Sequence, residues 1–190
     1  MGAPERRLLD EREYLAREAR AAERHEYVAG IVYAMAGAGE RHSRIALNLS
    51  VTLRLAARAS PCGVYMSDMK LHVAQAAAYY YPDVMVSCEP SFPDTAVKER
   101  PCLIAEVLSP STAAIDTREK LHAYRGIESL RYYLIVESDR AAVTYYVRSA
   151  QGEWLSANLD PGERLQVQCD SVRAELTLAS IYEDTGLSVS

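Results

Sequence analysis

Cys102-Leu103-Ile104-Ala105-Glu106-Val107-Leu108 is the stretch on which the reading of this chain turns. Six of the seven residues suit a strand buried on both faces, the habit of central strands in sheets covered by helices. The seventh is Glu106. An ionised carboxylate buried there without a partner is strongly unfavourable, so Glu106 must meet a cation, a hydrogen-bond network or water in a cleft. It is either one half of a structural salt bridge or part of a functional site, where perturbed acids gather.

The strand candidate before it, residues 79–86, carries a second acid, Asp83, directly behind Pro82. Asp after Pro commonly serves strand entry or a turn. If the two strands are neighbours, however, Asp83 and Glu106 converge at one end of a sheet. One or two carboxylates, with substrate phosphate and waters, are the usual holders of Mg²⁺. Such an ion polarises a phosphodiester and generates hydroxide at neutral pH. That chemistry also calls for a fixed cation near the reacting phosphate. Positions 106 and 108 share a strand face, but position 108 is leucine. After the turn Ser109-Pro110-Ser111-Thr112, a helix from Asp116 to about Gly126 offers Lys120, with Asp116 and Tyr124 each four residues away on the same side. The alternative for Lys120 is a solvent-exposed pair with Asp116.

Further out, charged residues with Tyr14 and Leu15 at helical spacing predict an N-terminal helix over about 8–24, and residues 26–35 read as two short β runs around Gly30. Ile45, Leu49, Leu53 and Ala56 mark a helix over 40–59, whose other side shows Arg44, Arg54 and Arg58. Residues 69–73 alternate as a strand. Strand pairs are expected from 130–136 with 141–147, and from 154–159 with 164–167 around Pro161-Gly162, before a closing helical turn over 176–182. The order predicts a mixed α/β (α+β) domain, a central mixed sheet flanked by helices with extra β-hairpins. A chain of 190 residues suits one domain over 1–190, with its core at about 25–150 and a β extension at about 151–183.

Composition narrows the function classes. The net charge of −5 argues against a nonspecific nucleic-acid coat, yet residues 1–60 carry +2 and the remainder −7, so an anion-facing surface should lean on the N-terminal third. No apolar run is long enough to span a membrane, and the Arg- and Glu-rich start is unlike a secretory signal. A cytoplasmic protein is expected. Cys62, Cys88, Cys102 and Cys169 form no C-x-x-C pair and are expected as buried reduced thiols.

Pro82-Asp83, the run Glu106-Val107-Leu108-Ser109-Pro110-Ser111-Thr112, then Asp116, Lys120 and Tyr124 resemble the Uma-two family of restriction-endonuclease-like proteins, within the PD-(D/E)xK nuclease-like superfamily. His25-Glu26-Tyr27-Val28-Ala29-Gly30, Met35-Ala36-Gly37, His42 and Ser67-Asp68-Met69 extend the resemblance over residues 10–183. It implies a restriction-endonuclease-like α-β-β-β-α-β core. Asp83, Glu106 and the backbone carbonyl of Val107 would ligate Mg²⁺ or Mn²⁺, and the catalytic lysine would have moved from position 108 to Lys120. Glu26, at a position the family tends to keep acidic, is either an auxiliary ligand or a surface salt bridge. His42 could donate to a phosphate or orient a metal-bound water, or be structural. The Arg44, Arg54 and Arg58 row could follow a nucleic-acid backbone or be a solvated helix face. Tyr79-Tyr80-Tyr81 fits strand packing better than base stacking.

The function these residues predict is a Mg²⁺- or Mn²⁺-dependent endonuclease hydrolysing DNA, using Asp83, Glu106 and Lys120. A double-strand cut needs two active sites, so a homodimer is expected. The alternatives are a catalytically inactive nuclease-fold module that binds nucleic acid or a protein, and a glycosidase using the acid pair.

Overall fold

The computed structural model describes residues 8–35, 37–90, 96–108 and 113–189, and of residues 113–117 the backbone alone. The chain begins with α1 (Glu11–Glu18), whose N-cap Asp10 accepts a hydrogen bond from Glu13 N at 2.7 Å. This helix buries Tyr14 against Tyr27 and Tyr79 and is shorter than the 8–24 span expected. The hairpin β1 (His25–Val28) and β2 (Ile31–Ala34) follows, turning at Ala29-Gly30 with both residues at positive φ, as tight hairpins require.

Next come α2 (Glu40–Ala56), β3 (Gly63–Met66), β4 (Lys70–Val73), β5 (Ala78–Tyr80), β6 (Val84–Ser87), β7 (Val97–Lys98), β8 (Pro101–Leu108) and α3 (Ala113–Arg125). The chain ends with β9 (Tyr132–Glu137), β10 (Val143–Arg148), β11 (Trp154–Asn158), β12 (Leu165–Cys169), β13 (Val172–Leu176) and α4 (Leu178–Ile181). The central sheet has six strands in the order β11-β10-β9-β8-β6-β3. Within this sheet only β8 and β9 pair in parallel, joined through α3, so the mixed α/β expectation holds. A second sheet, β2-β1-β5-β4-β7, and the hairpin β12-β13 complete the molecule.

Strand β8 explains the layering. Leu103, Ala105 and Val107 point to one face, where they pack with Ile45, Leu49 and Leu53 of α2 and with the β12-β13 hairpin. Ile104 and Leu108 point to the other, where Ala123 and Tyr124 of α3 and Leu71, Val73 and Tyr80 of the second sheet cover them. All eight residues of the strand are buried. Glu106 therefore lies on the α3 face by simple alternation.

Three expectations are corrected. The run 79–86 is not one strand: the chain leaves β5 in the second sheet and enters β6 in the central sheet across Tyr81-Pro82-Asp83. Strand β11 pairs with β10, while β12 pairs with β13 across a two-residue turn at Asp170-Ser171, so segments 154–159 and 164–167 do not form the expected pair. The four cysteines are not reduced thiols: Cys62 is bonded to Cys88 and Cys102 to Cys169. The Gly63↔Ser87 register of β3 and β6 brings Cys62 and Cys88 opposite each other one step further along, and the β12-β13 hairpin carries Cys169 onto β8.

Candidate active site

The register Val84↔Ala105 between β6 and β8 sets Asp83 opposite Glu106 at the next position out. Asp83 Oδ2 accepts a hydrogen bond from Val107 N at 2.8 Å, which fixes the carboxylate against the end of the neighbouring strand. His42, in the first turn of α2, places Nε2 3.2 Å from the same oxygen. Its Nδ1 is buried without a hydrogen-bond partner among the described residues.

Glu106 is 6% exposed. Tyr124 on α3 donates its hydroxyl to Glu106 Oε1 at 2.7 Å, and Lys120 Nζ stands 3.4 Å from that oxygen. Lys120 is held more closely by Glu26 Oε1, at 2.9 Å. Its ammonium also lies 5.6 Å from the ring centre of Tyr80, which packs edge-on to Tyr124. Glu26 comes from β1 of the second sheet and takes a 3.4 Å contact from Tyr81 N. The site therefore draws on both sheets, α2 and α3.

Burial raises the Glu106 carboxyl well above the ordinary carboxylate range; Lys120 pulls against this, while Asp83 and Glu26 add to it. Tyr124 is likewise pushed far up by burial and then by Glu106. The hydrogen bond to Asp83 raises His42 above its usual value, against the effect of burial. Lys120 is thus shared between Glu26 and Glu106, while Asp83 beside them pairs with His42. The second oxygens, Asp83 Oδ1 and Glu106 Oε2, take no part in the contacts above. Glu26, His42, Asp83, Glu106 and Lys120 line a cleft of about 590 Å³, walled by Tyr33, Met35, Met66 and Tyr80.

The sequence-predicted residues Asp83, Glu106, Val107, Lys120, Glu26, His42 and Tyr124 are brought together. Glu26 is no surface pair, since its side chain is 14% exposed and that of Lys120 8%. The Asp116 side chain and the turn 109–112 lie outside the described residues. The arginines do not line the cleft itself: Arg44 pairs with Glu40 at 2.9 Å, while Arg54 and Arg58 line a groove with Val51 and Leu55 that shares Met66 with the cleft. Arg54 lies about 18 Å along the helix axis from His42, at 1.5 Å per residue. Tyr80 was missed as a site residue, and nothing in the Tyr79-Tyr80-Tyr81 run singles it out.

The model of the Uma2 family, described as "Putative restriction endonuclease", matches residues 11–180, from the start of α1 into α4. The chain belongs to the Uma2 family. The matched Uma2 region contains every residue of the cleft named above. The chain is also 37% identical over 165 residues to "Uncharacterized protein sll1609" of Synechocystis sp. (strain ATCC 27184 / PCC 6803 / Kazusa), covering 85% of this chain and 93% of that protein. With "Uncharacterized protein slr1290" of the same organism it shares 36% identity over 161 residues, covering 84% and 85%. A solved structure from Anabaena variabilis ATCC 29413, described as "a putative nuclease belonging to DUF820", has a TM-score of 0.70 over 92% of this Uma2 chain and 97% of its own, at 14% identity. The two share a fold. No helix of the described residues is long and apolar enough to cross a membrane.

Proposed function

We propose that this Uma2 protein is a divalent-metal-dependent endonuclease that hydrolyses DNA phosphodiester bonds, with Asp83, Glu106 and Lys120 as its catalytic residues. The observation that carries the reading is the facing pair Asp83 and Glu106 at the end of β6 and β8, with Lys120 3.4 Å from Glu106 in the same cleft.

The donor set fits Mg²⁺ or Mn²⁺. It consists of hard oxygens, its three carboxylates outnumber the one ammonium among the described residues, and Glu106, raised first by burial, is raised further by Asp83 and Glu26, like charge that a cation would offset. Asp83, Glu106 and the Val107 carbonyl would hold the ion. Bound there, it supplies Lewis acidity toward the phosphodiester and lowers the pKa of water. Lys120, kept in place by Glu26, puts a fixed positive charge where negative charge develops on the reacting phosphate. Tyr124 and His42 orient Glu106 and Asp83, each through one carboxylate oxygen. The net charge of −5 implies weak nonspecific DNA binding that falls with salt. Two copies acting together, in the cytoplasm, would supply the two sites of a double-strand cut.

The test is conversion of supercoiled plasmid by purified protein with Mg²⁺ or Mn²⁺, against a chelator control. Cleavage should vanish with chelator and in Asp83→Ala and Glu106→Ala. Activity that survives both substitutions overturns the assignment. Calorimetric Mn²⁺ uptake that depends on Asp83 and Glu106 separates this reading from that of a module that only binds.

A further inference from the structure

The four cysteines meet at the end of the central sheet opposite the acids. Cys62 lies just before β3, Cys88 just after β6, Cys102 near the start of β8 and Cys169 at the end of β12. Cys88 is five residues along its strand from Asp83, about 16 Å at the rise of an extended chain. The Sγ atoms of Cys62 and Cys88 each lie 3.8 Å from the Cys169 carbonyl oxygen. Asp170, at the β12-β13 turn, brings a carboxylate oxygen to the same point: it and the two sulfurs all fall within 4.8 Å of one another.

We infer that Cys62, Cys88 and Asp170 form a second cation site, for Zn²⁺, that is closed while the two sulfurs are bonded and opens when they are reduced. The ligand type selects the ion, since thiolates favour Zn²⁺ over the Mg²⁺ suited to an all-oxygen set. The spacing agrees as well. Zinc–sulfur bonds of about 2.3 Å and zinc–oxygen bonds of about 2.0–2.2 Å put tetrahedral ligands roughly 3.5–3.8 Å apart, so modest side-chain rotation suffices. The Cys169 carbonyl faces the remaining position. A dithiol reductant supplies two electrons and two protons to open the sulfur–sulfur bond into two thiols. Zn²⁺ binding then releases those two protons and leaves the ion on two thiolates and one carboxylate. In both states the cluster ties β3 to β6, and in the zinc state it also ties both to the β12-β13 turn. A reducing cytoplasm, which keeps thiols from pairing, favours the zinc state.

The experiment uses the full chain carrying Asp83→Ala and Glu106→Ala, which removes the oxygen site and makes the result independent of nuclease activity. The protein is reduced with a phosphine and titrated with Co²⁺, then with Zn²⁺. One equivalent of Co²⁺ should bind with a thiolate charge-transfer band and strong visible bands that Zn²⁺ erases. Cys62→Ser or Cys88→Ser should abolish the band, Asp170→Asn should weaken binding at least about tenfold, and Cys102→Ser should leave the band intact. The oxidised chain, which needs no substitution at the cysteines, should show no band until reductant is added. Absence of the band in reduced protein whose circular dichroism is that of the oxidised form, or its survival in Cys62→Ser, overturns the inference.

Discussion

Strands β6 and β8 carry oxygen donors at one end and sulfurs at the other, and the contrast shows how much of a site one antiparallel register can decide. At the acid end, pairing of Val84 with Ala105 brings Asp83 to Glu106. At the cysteine end, pairing of Gly63 with Ser87 brings Cys62 to Cys88. The acid end is crowded with like charge and depends on Lys120 for relief. The cysteine end is closed covalently, and the Asp170 carboxylate beside its sulfurs is exposed. Cation binding should therefore respond to acid substitutions at one end and to reductant at the other.

The largest effect that could break this contrast is catalytic. Asp83→Ala or Glu106→Ala should lower plasmid nicking by roughly 10³-fold or more, while oxidised and reduced wild-type protein should nick at similar rates. A reductant that abolished nicking in still-folded protein would show that the two ends do not act separately. Second is stability: the disulfides close loops of 26 and 67 residues, and they should contribute about 3.5 and about 4.4 kcal/mol by loop entropy. Reduction without Zn²⁺ should lower the denaturant midpoint, and cysteine-to-serine variants should reproduce the loss one bridge at a time.

Lys120→Met sharpens the acid end alone. It should lower the single-turnover cleavage rate about 10²-fold without weakening Mn²⁺ uptake by calorimetry, since removal of a neighbouring positive charge favours a bound cation. The smallest effect is a pH dependence. Because the folded state raises the Glu106 pKa, the folded protein holds a proton that the unfolded chain has already lost. Stability therefore falls as pH rises from the ordinary carboxylate value toward the raised one, and the loss is absent below that window. In chelator, Glu106→Gln should match wild type in melting temperature near pH 4 and exceed it increasingly up to pH 8. An advantage that shrinks with pH would contradict the desolvation of Glu106.

The acid end was legible in the sequence through one broken pattern, at Glu106, and through the acid, lysine and tyrosine that the family resemblance ties to it. Glu106 interrupts an apolar run, Asp83 follows a proline at a strand entry, and Lys120 and Tyr124 share a helix face. The layers followed from the period of α2 and the two-sided burial of β8. The contact between Glu26 and Lys120 could not be read from residue spacing, since the two are 94 positions apart and meet only once the second sheet folds over α3. The break at Tyr81-Pro82 was hidden because Tyr81, Pro82 and Val84 are all buried, so hydrophobicity runs unbroken from one sheet into the other. The β12-β13 hairpin was obscured by a stronger turn signal at Pro161-Gly162. Its own turn rests on Asp170 at a φ of +51°, a conformation that Asp tolerates better than most residues. Cysteine behaves as a small apolar residue in any pattern, so the pairings became visible only with the registers.

Lys120 is shared between Glu26 of the outer sheet and Glu106 of the central one, and the shorter contact is to Glu26. A cation drawn to Glu106 would compete with the lysine for that carboxylate and repel its ammonium. In a site with one acid the ammonium would swing into solvent, and its charge would be lost to the reaction when the ion arrives. In the proposed reaction the outer sheet would act as a tether, keeping the lysine at the cleft wall while Glu106 changes partners. Loading the ion and retaining the positive charge would then be separate tasks, assigned to separate sheets.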